Sequence, residues 1–192
     1  GYHSSACPEI VLKNQVDYVL IGECENNLSK FLNSFPNVSK DIENLAYEEN
    51  DKIKLNREIC RYQKNGLKPL RDEYYIKQKD FCLSFPAPSS QKGVAHVSIN
   101  KGCNYKCNFC SSYGIYGSKI IKGNINNSLD EIEELSERNV NLFIVDDLNF
   151  TNDLDFLKKF RNGIKQRNIK YIYFEVNANI SSTTPEKLEI LY

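Results

Sequence analysis

"VAHVSINKGCNYKCNFC", residues Val94 to Cys110, decides how this chain is read. "VAHVSI" has the length and character of a β-strand, and it leads straight into a loop with three cysteines, Cys103, Cys107 and Cys110, spaced C-x3-C-x2-C. Loops at the carboxyl ends of parallel strands are where α/β folds place their ligand sites. Thiolates are soft ligands, suited to zinc or to iron–sulfur clusters. A structural zinc ion is normally closed by four protein ligands, usually from two separated C-x2-C-like pairs. No second pair occurs; Cys82 or His96 could serve as a fourth ligand, but His96 lies on the preceding strand and nothing in the spacing recommends it. A four-iron cluster held by three thiolates would instead leave one iron open for chemistry.

The pattern that follows is regular. "SLDEIEELSERN" predicts a helix opened by a capping box from Ser128 to Glu131, with Leu129, Ile132 and Leu135 inward. "VNLFIV" predicts a second buried strand, ending at Asp146 and Asp147. "NDLDFLKKFRNGIKQRN" puts Leu154, Leu157, Phe160 and Ile164 at helical spacing, and "KYIYFEV" reads as a third strand. Alternating strands and helices imply parallel strands, so Val94–Ile99, Val140–Val145 and Tyr171–Val176 are expected in one parallel sheet with the cysteines at its carboxyl edge. Three strands do not close a barrel. "TTPEKLEILY" reads as a helix just begun, with Thr184 as its cap and Pro185 at its first position.

Upstream, the order expected is strand-end, helix, strand, helix. Pro8 starts a short helix, and "VDYVLIG" is a continuous apolar run of the kind buried on both faces of a parallel sheet. In "ENNLSKFLNSF", Leu28, Phe31, Leu32 and Phe35 form one apolar stripe. "NLAYEENDKIKLN" predicts a hairpin turning near Asn50 and Asp51. Periodicity fades from Arg61 to Lys92, and "FPAPSSQKG" has linker composition, which places a domain boundary just before Gly93.

Composition bounds the function. The 192 residues carry 25 basic and 25 acidic side chains with no long Lys/Arg block, so nothing electrostatic recommends nucleic acid as a partner. The apolar run "YVLI" is far too short to span a bilayer, and no signal-peptide pattern opens the chain, which makes the cytoplasm the default location. Seven cysteines, three of them crowded, point to metal or redox chemistry rather than a disulfide framework. The chain begins with glycine and holds no methionine, and it is expected to be a fragment of something longer.

"KGCNYKCNFC" resembles the C-x3-C-x-aromatic-C signature of the radical S-adenosylmethionine superfamily. The resemblance implies that Cys103, Cys107 and Cys110 hold a [4Fe-4S] cluster whose open iron is chelated by S-adenosylmethionine, with Phe109 near the adenine. "FIVDDLNFTND" looks like the second-strand segment of the cobalamin-dependent branch, which implies that Asp146 and Asp147 face the cofactor region. "GYHSSACPEIVLKNQVDYVLIGECENNL" is similar to the closing part of a cobalamin-binding domain, with Gly1, His3, Gly22 and Glu23 matching its pattern. Cys24 departs from that pattern by replacing a glycine, and Lys101 and Asn104 stand where many relatives carry Arg and Pro.

The fold implied is α/β. Residues 1–35 would be the C-terminal part of a Rossmann-like cobalamin-binding domain, 36–92 a hairpin and linker, and 93–192 the first half of a partial (β/α) radical S-adenosylmethionine barrel. The activity implied is reductive cleavage of S-adenosylmethionine to a 5′-deoxyadenosyl radical, leading to cobalamin-dependent C-methylation of a small-molecule or peptide substrate. Electrons would come from a donor such as flavodoxin or ferredoxin. Rearrangement, cyclisation, oxidation, methylthiolation and a non-catalytic zinc module are the alternatives.

Overall fold

The computed structural model describes residues 1–56, 93–116 and 118–192. The stretch read as a linker, and Cys60 and Cys82 within or beside it, lie outside these residues. The chain forms two compact units. The first gathers the described residues of Gly1–Lys64 with Gly102–Ile121, and the second those of Asn65–Lys101 with Lys122–Tyr192.

The first unit opens with two short helices, α1 (Tyr2–Ala6) and α2 (Pro8–Leu12), where the first of these segments was expected to be the end of a strand. Strand β1 (Tyr18–Leu20) precedes helix α3 (Glu25–Ser34) and the hairpin β2 (Leu45–Glu49) and β3 (Lys52–Leu55). The hairpin turns on Asn50 and Asp51, both with positive φ (51° and 57°), the pair of left-handed residues that a tight two-residue turn needs. The three strands form one sheet in the order β1-β2-β3, antiparallel throughout.

That pairing corrects the expectation of a parallel strand at "VDYVLIG". Burial on two sides is real: Val19 and Ala46 join Leu12 in one cluster, while Tyr18 and Leu20 pack against the cluster of Val38, Ile42, Leu45 and Tyr47. An apolar run reports how much of a strand is covered, and it is silent on the direction of the neighbour. The stripe on α3 is also not a core face. Phe31 meets Tyr18 edge-on at 5.4 Å, but Leu28, Leu32 and Phe35 are exposed.

The second unit is built as expected. Strands β4 (Val94–Val97), β7 (Leu142–Val145) and β8 (Tyr173–Val176) form a parallel sheet in the order β4-β7-β8. Between the first two, the chain makes β5 (Asn100–Gly102), α4 (Ser112–Tyr116) and β6 (Ile120–Lys122), with β5 and β6 paired, and then α5 (Ile125–Glu137). Helix α6 (Leu154–Gln166) joins β7 to β8, and α7 (Pro185–Leu191) closes the chain with Thr184 accepting from the Lys187 N–H.

Side chains alternate across the sheet. Ala95, Val97, Phe143 and Val145 turn to one face, where they form a single core with Leu129, Ile132 and Leu135 of α5 and Leu157 and Phe160 of α6. Phe150 and Phe174 lock its end, each ring 5.3–5.4 Å from that of Phe160. Gly163 on α6 lets the helices close, because a Cβ there would stand 2.2 Å from Leu129 Cδ1.

Helix α5 starts one turn before the capping box that the sequence suggested. Asn124 is its cap, accepting from the Asn126 N–H at 3.1 Å, and Ser128 and Glu131 are buried inside the helix. Starting earlier lets Ile125 pack against the core. Helix α6 is capped by Asp153, which accepts from the Phe156 N–H at 3.1 Å and also from Lys122 Nζ.

Two measurements test this description. Phe143 is fully buried, so Phe143→Ala should cost about 3–5 kcal/mol in denaturant unfolding. Asp153→Ala should cost about 1 kcal/mol at neutral pH. The Lys122 ammonium, with the Phe156 N–H, holds the Asp153 carboxyl below the ordinary range. That stabilisation is therefore complete above the unfolded carboxylate value, about pH 4, and fades as pH falls through the lower folded value. The stability gap between parent and Asp153→Ala should close on acidification, and a gap that widened would contradict the pairing.

Candidate functional site

The three cysteines sit in an excursion of the chain, 102–121, that packs with the first unit. Its entry depends on Gly102, whose φ is +83° and whose Cβ, if present, would stand 2.2 Å from the Lys119 carbonyl oxygen. Past it the loop holds its own hydrogen bonds. The Tyr105 N–H points at Cys103 Sγ at 3.5 Å, and the Cys110 N–H donates to the Cys107 carbonyl at 3.0 Å, so the last two cysteines share one turn. Cys103 and Cys107 are half-buried and Cys110 is exposed. The Ser112 hydroxyl, with the backbone N–H groups of Ser112 and Tyr113, stabilises the Cys110 thiolate and lowers its pKa. Phe109 is 93% exposed, its ring uncovered.

This donor set fits a thiolate-held cluster by chemistry: three accessible thiols in one loop, two with N–H groups near sulfur, one biased toward the anion that binds metal. Among the described residues no three Cys, His, Asp or Glu side chains gather around one metal-sized point. Thiolates that each hold a different iron have no need to converge on a single atom as the ligands of one zinc ion do.

Helix α4, directly after the cysteines, is fastened at its end. The Tyr116 hydroxyl donates to Glu23 Oε1 at 2.9 Å, and burial, aided by the Glu23 charge, pushes its phenol well above the usual tyrosine range. Glu23 is one of the residues that the resemblance assigned to cobalamin. Its neighbour Gly22, φ +72°, donates its N–H to Ser5 Oγ at 2.8 Å. Gly1 and His3 are exposed at the start of α1. Nothing in the sequence pointed to Tyr116, since a single tyrosine after a cysteine loop carries no periodic signal.

The aspartate pair divides. Asp146 is half-exposed and meets His96 Nδ1 at 2.9 Å. Asp147 is 2% exposed, and its carboxylate accepts from the backbone N–H of Ile99 and of Asn100 (2.8 and 2.9 Å) and from Asn100 Nδ2 (2.8 Å). Burial pushes the Asp147 carboxyl up, and those three donors oppose it. Asp147 is thus enclosed by donors of the fold, whereas Asp146 stays half-exposed beside His96.

A double-mutant cycle tests the fastening of α4. Tyr116→Phe and Glu23→Gln should each destabilise the protein, and their combination should show a coupling of about 1 kcal/mol. Strict additivity would mean that the two side chains do not act on one another.

No family model matches the chain. It is 27% identical over 74 residues to cytidylyl-2-hydroxyethylphosphonate methyltransferase of Streptomyces wedmorensis, a match covering 38% of this chain and 14% of that protein. It is 26% identical over 135 residues to bacteriochlorophyllide d C-12(1)-methyltransferase of Chlorobaculum tepidum, covering 67% of this chain and 28% of that one. Among solved structures it is similar to TsrM from Kitasatospora setae, a radical S-adenosylmethionine methyltransferase with cobalamin and a [4Fe-4S] cluster bound. The TM-score is 0.73 at 15% identity, over 100% of this chain and 38% of TsrM. It is also similar to OxsB, a cobalamin-dependent S-adenosylmethionine radical enzyme, with a TM-score of 0.65 at 16% identity over 97% of this chain and 27% of OxsB. The chain thus spans well under half the length of each of these proteins. Its fold is similar to those of TsrM and OxsB.

Proposed function

We propose that this chain is part of a cobalamin-dependent radical S-adenosylmethionine methyltransferase in which Cys103, Cys107 and Cys110 hold a [4Fe-4S] cluster. One observation carries the reading: a C-x3-C-x2-C excursion follows the first strand of a parallel sheet in a chain whose fold is similar to that of TsrM. That the two relatives matched by sequence are both methyltransferases supports methyl transfer over the other radical outcomes.

The chemistry such a cluster supplies when bound is one-electron cleavage of S-adenosylmethionine to methionine and a 5′-deoxyadenosyl radical, and that of cobalamin is carriage of a methyl group. The chain's own residues do narrower work. Ser112 favours the anion of Cys110, the form that ligates. Phe109 offers an uncovered ring to a flat partner such as adenine. Asp146 offers a half-exposed carboxylate to a cationic group such as the amino group of S-adenosylmethionine. Gly1, His3, Gly22 and Glu23 are the residues that the resemblance would give to cobalamin. A small molecule or a peptide is the substrate class, and a flavodoxin- or ferredoxin-type protein is the electron source.

The test is anaerobic reconstitution of the full-length protein. It should turn brown, absorb near about 400 nm and yield 5′-deoxyadenosine with dithionite and S-adenosylmethionine. Cys103→Ala, Cys107→Ala and Cys110→Ala should each lose the cluster and the product, while Cys7→Ala should keep the parent's iron and sulfide content. A colourless protein containing zinc, or a Cys107→Ala variant that makes 5′-deoxyadenosine at the parent rate, would overturn the assignment.

A further inference from the structure

The excursion that carries the cysteines begins and ends at one place in the second unit. The chain leaves that unit after Lys101 and re-enters it at Lys122. Just before the exit and just after the re-entry, Ile99, Asn100 and Gly123 are in contact. Asn100 uses both ends of its amide: Nδ2 donates to Asp147 Oδ2 at 2.8 Å, and Oδ1 accepts from the Gly123 N–H at 3.2 Å. Asp147 Oδ1 takes the two backbone N–H groups of Ile99 and Asn100. Gly123 lies so close that a Cβ there would stand 1.8 Å from the Ile99 carbonyl oxygen.

We infer that Asp147 and Asn100 form a clamp on the neck of the cysteine excursion, acting as positioning residues for the thiols. The argument rests on the reading of those thiols as cluster ligands, and concerns what holds them. Cys103 is three residues from Asn100, so the clamp holds the backbone just ahead of the first ligand. Clamping both ends also removes conformational freedom that the loop would otherwise lose on binding a cluster. A buried carboxylate suits this place, because Asp147 gathers three donors from the chain just before the excursion.

The bonding pattern makes a reciprocal test possible. In Asp147→Asn the new amide N–H group faces Asn100 Nδ2, donor against donor. Relief requires Asn100 to turn over, which takes its oxygen away from Gly123. In Asn100→Asp two carboxylates face each other. In the double variant Asp147→Asn/Asn100→Asp the amide at 147 donates to the carboxylate at 100, whose second oxygen accepts from the Gly123 N–H, so the side-chain bond returns with its direction reversed and the backbone bonds keep theirs.

The experiment uses the full-length protein after anaerobic reconstitution. It measures the rate of iron loss to a strong ferrous chelator and the electron paramagnetic resonance spectrum of the reduced cluster, each well below the variant's own unfolding midpoint. Iron loss should rise about tenfold in each single variant, the scale of one charge-assisted hydrogen bond. The double variant should return to within about twofold of the parent and recover the parent spectrum. Asn100→Ala, which keeps the backbone bonds to Asp147 and cuts the link to Gly123, guards against a single variant that does not fold, and it should also lose iron faster. Parent-like iron loss in Asn100→Ala, or a folded double variant that stays as labile as the singles, would overturn the clamp. A parent protein that takes up no iron would instead overturn the cluster reading on which the clamp rests.

Discussion

A carboxylate buried to 2% exposure has to be answered by hydrogen-bond donors or it destabilises the fold that encloses it. The donors that answer Asp147 are two consecutive backbone N–H groups and one side-chain amide, all just past the end of β4. That requirement ends the strand. The parallel ladder stops at Val97, whose carbonyl takes the Asp146 N–H, and the next N–H groups turn toward Asp147 instead of continuing the sheet. Where the chain departs toward its cysteines is thus set by an electrostatic debt one strand away.

The two adjacent aspartates differ because strand side chains alternate. Ala95, Val97, Phe143 and Val145 turn toward α5 and α6 and hold the second unit together. His96, Ile144 and Glu175 share one rung of the sheet and turn the other way, with half-exposed Asp146 just beyond, paired to His96. Stability and chemistry are divided between faces. An apolar side chain can be exchanged on the helix side only at the cost of core packing, whereas the polar rung can change with little effect on folding.

How much of this was legible follows from which signals are local. Strands β4, β7 and β8 and helices α6 and α7 were readable, their ends trimmed by a residue or two, because long periodic runs and the caps at Asp153 and Thr184 agree. Helix α5 was placed a turn late because Ser128 and Glu131 have capping-box spacing, while the burial of Ile125 that decides its start is a tertiary fact. Strand β1 was recognised as buried yet assigned the wrong kind of neighbour, since sequence does not encode pairing direction in three residues. The cysteines stood out by spacing alone. Asn100 and Tyr116 did not, for a lone amide and a lone phenol acquire meaning only from partners 23 and 93 residues away.

On the proposed reading, the excursion balances two demands. A loop that binds a cluster must hold its thiols in order, yet leave them open to iron and sulfide. Its fastenings accordingly lie beside the thiols. Gly102 approaches Lys119 at the entry, and Tyr116 bonds Glu23 after the last cysteine. Between them the bonds include the Cys107–Cys110 turn and the N–H groups of Tyr105, Ser112 and Tyr113 beside sulfur, and Cys110 and Phe109 stay exposed. Packing those thiols into an apolar core would favour the protonated form and work against metal binding. Order imposed from the ends of a loop avoids that conflict.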